Sequence, residues 1–93
     1  MKTVKIDRKA WTRGQYCNEY GHCCAVGFIA KAELKREGVR RPSKTEIEDR
    51  AGDIHGYLNG NISDINDSQR GAERQKNLRK VFKENDLKLV FVN

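Results

Sequence analysis

Three cysteines and a histidine crowd into eight positions, Cys17, His22, Cys23 and Cys24, and the chain's other histidine is His55. These are zinc-ligand residue types, but zinc takes four ligands in a tetrahedron, commonly from two closely spaced cysteine pairs. Here the spacing is Cys-x4-His-Cys-Cys with no second pair, and adjacent cysteines at a helix start point in different directions. A metal centre on Cys17, His22, Cys23 and His55 is one alternative. The other is structural, with Cys24 a small core residue and Cys17 a loop thiol. An odd cysteine count without a secretion signal argues for thiols rather than a disulfide framework.

Cys23 or Cys24 could instead serve as a nucleophile, because the start of a helix lowers the pKa of a thiol. His55 and Asn66 or Asp67 follow in an order compatible with a Cys-His-Asn arrangement. No spacing brings His55 to either cysteine, and the chain is small for a hydrolase. The expectation is a protein that is not an enzyme and carries no cofactor.

Basic residues offer a third chemistry. Arg70, Arg74, Lys76, Arg79, Lys80 and Lys83 surround the apolar stripe Leu78, Val81, Phe82, and Arg40, Arg41 and Lys44 form a second cluster. Such charge suits phosphate contacts or an acidic protein surface. A fourth feature is the aromatic loop. Trp11, Arg13, Tyr16 and Tyr20 are types favoured in interface hot spots, although Trp11 in so short a chain reads as a core anchor.

The elements that must position these residues follow from periodicity. Thr3 to Asp7 reads as a strand with Val4 and Ile6 on one face, and residues 8–21 as a loop. A first helix is expected from about His22 to Glu37, with Cys24, Phe28 and Ala32 recurring every four residues and Gly38 as its stop. Ser43-Lys44-Thr45-Glu46 is a capping box. It opens a second helix with Ile47, Ala51, Ile54 and Leu58 on one face. Gly52 and Gly56 leave a small-residue strip on that helix. Residues 62–68 read as a polar link with two isoleucine pins. A third helix is expected from about Gln69 to Glu84, and Leu87 to Val92 is a strong strand.

The order is β-α-α-α-β in a single domain over residues 1–93. The expected fold is α+β, with the N- and C-terminal strands paired and covered by about three helices. Each strand would have an open edge, which together with the Gly52/Gly56 strip makes a homodimer an expectation.

Composition bounds the function classes. Of the 93 residues, 34% are charged and the net charge is +6. Residues 1–44 carry eleven Lys/Arg against Asp7, Glu19, Glu33 and Glu37. In residues 45–67 Arg50 stands against six acids, and in 68–93 seven Lys/Arg stand against Glu73, Glu84 and Asp86. An acidic middle between basic ends fits a protein partner better than a uniform polyanion. No apolar stretch approaches the roughly 20 residues needed to cross a bilayer. The first residues alternate polar and apolar, unlike a signal peptide. The expectation is a cytoplasmic protein without a membrane partner.

Three local patterns together resemble a known group: Trp11-Thr-Arg-Gly14, Gly21-His-Cys-Cys-Ala-Val-Gly27, and Ile62-Ser-Asp-Ile-Asn66-Asp67 before the last helix. They are similar to small uncharacterised proteins of phages and mobile elements. The resemblance implies stoichiometric binding of a host or defence protein, within a host cytoplasm, and brings no catalytic residues. The contact residues expected from charge are Arg40, Arg41, Arg70, Arg74, Arg79, Lys80 and Lys83. Nucleic-acid binding by the last helix is the alternative, and a thiol or metal domain on Cys17, Cys23 and Cys24 a second.

Overall fold

The computed structural model describes residues 1–92. Two strands, β1 (Lys2–Asp7) and β2 (Leu87–Val92), enclose four helices in the chain: α1 (Ala25–Arg36), α2 (Lys44–His55), α3 (Ile62–Ser68) and α4 (Gly71–Glu84). The strands pair in parallel, from Lys2 opposite Leu87 to Asp7 opposite Val92. The sheet therefore joins the two ends of the described chain, and everything between is one long crossover. The expected α+β arrangement of paired terminal strands and covering helices is the one observed.

Alternation decides the sheet's inner face. Val4 and Ile6 on β1, and Leu87 and Leu89 on β2, point into the core with Val26, Ile29, Leu78 and Phe82. Fully burying a side chain of this kind contributes about 1.5–3 kcal/mol. Helix α1 packs on β1 and α2, whereas α4 packs on β2 and α3. Ile47, Ala51 and Ile54 give α2 its buried stripe. Arg50 of α2 holds α1 from outside, its Nη1 3.1 Å from Glu33 Oε1 and 2.6 Å from Glu37 Oε2.

Three boundaries differ from expectation. Helix α1 starts at Ala25 and not at His22, because Cys23 is committed to the preceding loop. Its N–H donates to the Ala10 carbonyl at 2.8 Å, and its carbonyl accepts from Thr12 N at 2.9 Å. Helix α2 ends at His55, with Gly56 at its C-cap, and so stops short of Leu58. Residues 62–68 form a helix rather than a link, since Ile62 and Asn66, four apart, are both buried. The capping box at Ser43 forms as expected: Glu46 N donates to Ser43 Oγ at 3.1 Å, and Ser43 N to Glu46 Oε1 at 3.0 Å.

The cysteine expectation is corrected. Cys17 and Cys23 are joined by a disulfide, and Cys24 alone is a free thiol. Composition could not reveal that the loop doubles back. Cys17 and Cys23 sit opposite one another in an antiparallel bridge, with their Cα atoms 4.1 Å apart. A Cβ on Gly27 would overlap the backbone carbonyl of Tyr16, so α1 lies directly against the aromatic loop.

Candidate functional site

The three motifs singled out in the sequence meet at one residue. Asn66 is fully buried. Its Oδ1 accepts from Trp11 Nε1 at 2.6 Å and from Ala25 N at 3.0 Å. Its Nδ2 donates to the Thr12 carbonyl at 3.1 Å and to Asp67 Oδ1 at 2.8 Å. Both acceptor lone pairs and both N–H groups of the amide are thus used. Asp67 Oδ1 also accepts from Gly14 N at 3.1 Å, and the Asp67 carbonyl accepts from Arg13 Nη1 at 2.7 Å. The aromatic loop, the N-terminus of α1 and the C-terminal end of α3 are locked together through side-chain amide and carboxylate groups.

Arg74 closes this cluster from α4. Its guanidinium lies 3.5 Å from the centre of the Trp11 ring, a cation–π stack. Trp11 in turn packs on Phe91 with ring centres 5.1 Å apart. Arg74 is 8% exposed, and its Nε and Nη2 have no hydrogen-bond partner. Burial, and then the nearby Arg13 charge, bring its pKa down to about 10, against the pull of Asp67 and Cys24. Arg74 therefore belongs to the interior and leaves the exposed contact set that charge alone predicts.

Beside the cluster lies a polar pocket of about 520 Å³. His55 is held at its mouth between two hydroxyls: Nδ1 is 2.8 Å from Tyr16 Oη, and Nε2 is 3.2 Å from Ser63 Oγ. The Tyr16 and His55 rings meet edge-on at 5.8 Å. Asp67 and Cys24 line the same pocket. This arrangement fixes the imidazole and could pass a proton between hydroxyls. It does not favour Cys24 as a nucleophile. Burial raises the Cys24 pKa, and the backbone N–H groups of Gly27 and Val26 only partly offset it, so the thiolate that such chemistry needs is disfavoured.

The alternative metal ligands are dispersed. Cys17 and Cys23 are bonded to each other, His55 is engaged by Tyr16 and Ser63, and His22 faces Tyr20. Among the described residues no group of three or more His, Cys, Asp or Glu side chains is arranged to hold a metal ion.

The expected basic contact residues separate into two places. Arg40 and Arg41 are exposed on the connection between α1 and α2. Arg70 is exposed at the N-cap of α4, and Arg79, Lys80 and Lys83 are exposed along that helix. Lys76 joins them at helical spacing. Sequence reasoning missed one further member, Arg8. Arg8 donates to Gln75 Oε1 at 3.3 Å, and the guanidiniums of Arg8 and Arg79 lie 5.2 and 5.1 Å from the Phe91 ring centre. A stripe of cations thus runs along α4 and onto the end of β1.

Comparison with protein-family models, curated proteins and solved structures finds no match to this chain. Among the described residues no helix is long and apolar enough to cross a membrane.

Proposed function

We propose that the protein acts by stoichiometric binding to an acidic surface of a protein partner, with the solvent face of α4 as the contact. The reading assigns it no catalysis. The observation that carries it is the state of the α4 cations. Lys76, Arg79, Lys80 and Lys83 are exposed on one rigid element, and none is within ion-pair distance of a carboxylate among the described residues. The apolar edge of the same helix is already spent on the core through Leu78, Val81 and Phe82. What α4 offers outward is therefore charge, flanked by the Arg8–Phe91–Arg79 stack, a pairing of types common at interface centres.

An acidic protein surface suits this better than a phosphate backbone. Helix α2 presents Glu46, Glu48, Asp49 and Asp53 against Lys44 and Arg50, which would repel a polyanion that spread beyond α4. The resemblance in the three motifs points to a host or defence protein as the partner.

A pulldown from host lysate, with and without nuclease and across a salt series, tests the reading. The expected result is an equimolar protein complex that survives nuclease. Changing Arg79, Lys80 and Lys83 together to Glu should weaken it by about tenfold or more, as expected for reversed charges at a contact face. Loss of every partner after nuclease, with direct DNA or RNA binding that falls steeply with salt, overturns it.

A further inference from the structure

A groove of about 380 Å³ runs between α1 and the outer face of β1. Both walls follow from elementary geometry. Thr3, Lys5 and Asp7 alternate with the buried Val4 and Ile6 and so face outward. Phe28, Lys31, Ala32 and Lys35 share one side of α1 by their three- and four-residue spacing. Val92 closes the groove from β2, and Arg36 stands at one end, its Nη1 3.4 Å from the Thr3 carbonyl.

Two features of this place call for a partner. Parallel sheets are normally covered on both faces, yet Thr3, Lys5, Lys88 and Val92 are exposed. Beyond β1 no strand follows in the described chain. Lys5, Lys31, Lys35 and Arg36 also gather around an apolar floor of Phe28, Ala32 and Val92 with Asp7 as the one acid in the lining. None of these four cations forms an ion pair among the described residues. Burial, and then the Lys35 charge, lower the pKa of Lys31, with Asp7 opposing. The groove thus holds more positive charge than its own carboxylate can neutralise.

We propose that this groove binds an extended acidic segment of the protein partner, its carboxylates meeting Lys5, Lys31, Lys35 and Arg36 and its alternate apolar side chains resting on Phe28, Ala32 and Val92. The inference rests on the reading that the partner is an acidic protein, but it uses cations that α4 does not supply. The spacing fits. Lys31 and Lys35 are four residues apart on a helix, about 6 Å along its axis. Carboxylates two residues apart on a strand are about 6.6 Å apart. Phe28 to Arg36 covers about 12 Å, the reach of roughly four extended residues. Single-stranded nucleic acid would need an exposed aromatic platform for its bases. The groove's aromatic residue, Phe28, is 6% exposed and serves as floor.

The test is fluorescence anisotropy with a labelled octapeptide of alternating glutamate and valine. It is compared with a glutamate–serine octapeptide and an eight-residue oligothymidylate, on protein whose fold is checked by circular dichroism. Lys31→Glu/Lys35→Glu should weaken the valine peptide about tenfold or more, Lys80→Glu/Lys83→Glu about twofold or less, and the valine peptide should bind about threefold more tightly than the serine peptide. If the charge-reversed protein does not fold, Lys31→Gln/Lys35→Gln should show the same ordering. Equal binding of the two peptides, equal loss in both variants, or tighter oligothymidylate binding through Lys31 and Lys35 would overturn the inference. Loss confined to the α4 variant would overturn the groove and leave the α4 contact standing. A nuclease-sensitive pulldown would overturn the α4 reading while leaving the peptide result as measured.

Discussion

Asn66 shows how much one side chain can decide. Truncating it to Ala strands the Trp11 N–H, the Ala25 N–H and the Thr12 carbonyl at once. Each unsatisfied buried group costs about 1–3 kcal/mol; the Ala25 bond is fully buried and the Trp11 and Thr12 bonds only partly, so Asn66→Ala should lose about 2–4 kcal/mol. For a domain of this size that lowers the melting temperature by roughly 10–25 °C, and a thermal melt showing a shift of a few degrees would count against the hub. The sequence reading placed Asn66 and Asp67 in a polar link before the last helix, and such side chains commonly bond to backbone a residue or two away. It had no means of seeing that those bonds would reach 41 and 55 residues away to Ala25 and Trp11. Cys24 is the second decisive residue. Its folded-state pKa is raised, so the folded chain keeps the proton at pH values where the unfolded thiol has lost it. The stability that Cys24 contributes is complete below the ordinary thiol range near pH 9 and is lost as pH rises through the folded-state value. Denaturation midpoints between pH 8 and 10 should therefore fall less steeply in Cys24→Ala than in the parent; identical slopes would refute the assignment. Thiol titration gives a companion check on the disulfide. The native chain should be unreactive, the denatured unreduced chain should expose one thiol, and the reduced chain three.

Elements were legible wherever local rules carried them. The capping box of α2 needed nothing beyond Ser43 and Glu46, and both of its hydrogen bonds form. Ser43→Ala should cost about 0.5–2 kcal/mol, measurable by urea denaturation, and Ser43→Asp should restore most of it. A change below a few tenths for Ala would mean that packing through Ile47, Ala51 and Ile54 holds α2 without its cap. The alternation of β1 and the β-branched run of β2 were equally plain, because side-chain period and burial agree. Helix α3 was not legible. Its seven residues are too few for a periodic signal, and its polar composition resembles a loop. It exists because Ile62 and Asn66 are buried by distant segments, a tertiary effect that local propensity does not register. The start of α1 was misread for the same reason, since Cys23 is claimed by Ala10 and Thr12. Arg74 was read as exposed because the spacing of α4 does not say that Trp11 will cover it. The parts of the candidate site that the sequence hid are those assembled from three or more elements.

At the scale of the whole molecule, charge is divided between helices that pack on different neighbours. Helix α2, with its four acids, packs on α1, whereas basic α4 packs on β2 and α3. The Gly52/Gly56 strip faces open space, with nothing within contact distance of a Cβ at either glycine, and Tyr57 beside it is 83% exposed. An acidic face carrying an exposed tyrosine and a glycine strip can meet the basic α4 face of a second copy in a head-to-tail contact. Net charge opposes this, since two copies at +6 repel. The balance depends on screening. At an ionic strength of about 0.01 M fields reach about 30 Å, so whole-molecule repulsion competes with the local attraction; at 0.15 M they reach about 8 Å, and exposed ion pairs are worth under about 1 kcal/mol each. Either way the contact is weak, and it draws on the same α4 cations as the partner. Sedimentation velocity should therefore show a monomer at physiological salt, with association confined to high protein concentration and abolished by Lys80→Glu/Lys83→Glu. A dimer that persists unchanged at about 0.5 M salt, where charges are screened within a few ångströms, would instead place the interface at the open edge of β1. The octapeptide should then compete with dimerisation, because its groove runs along the same strand.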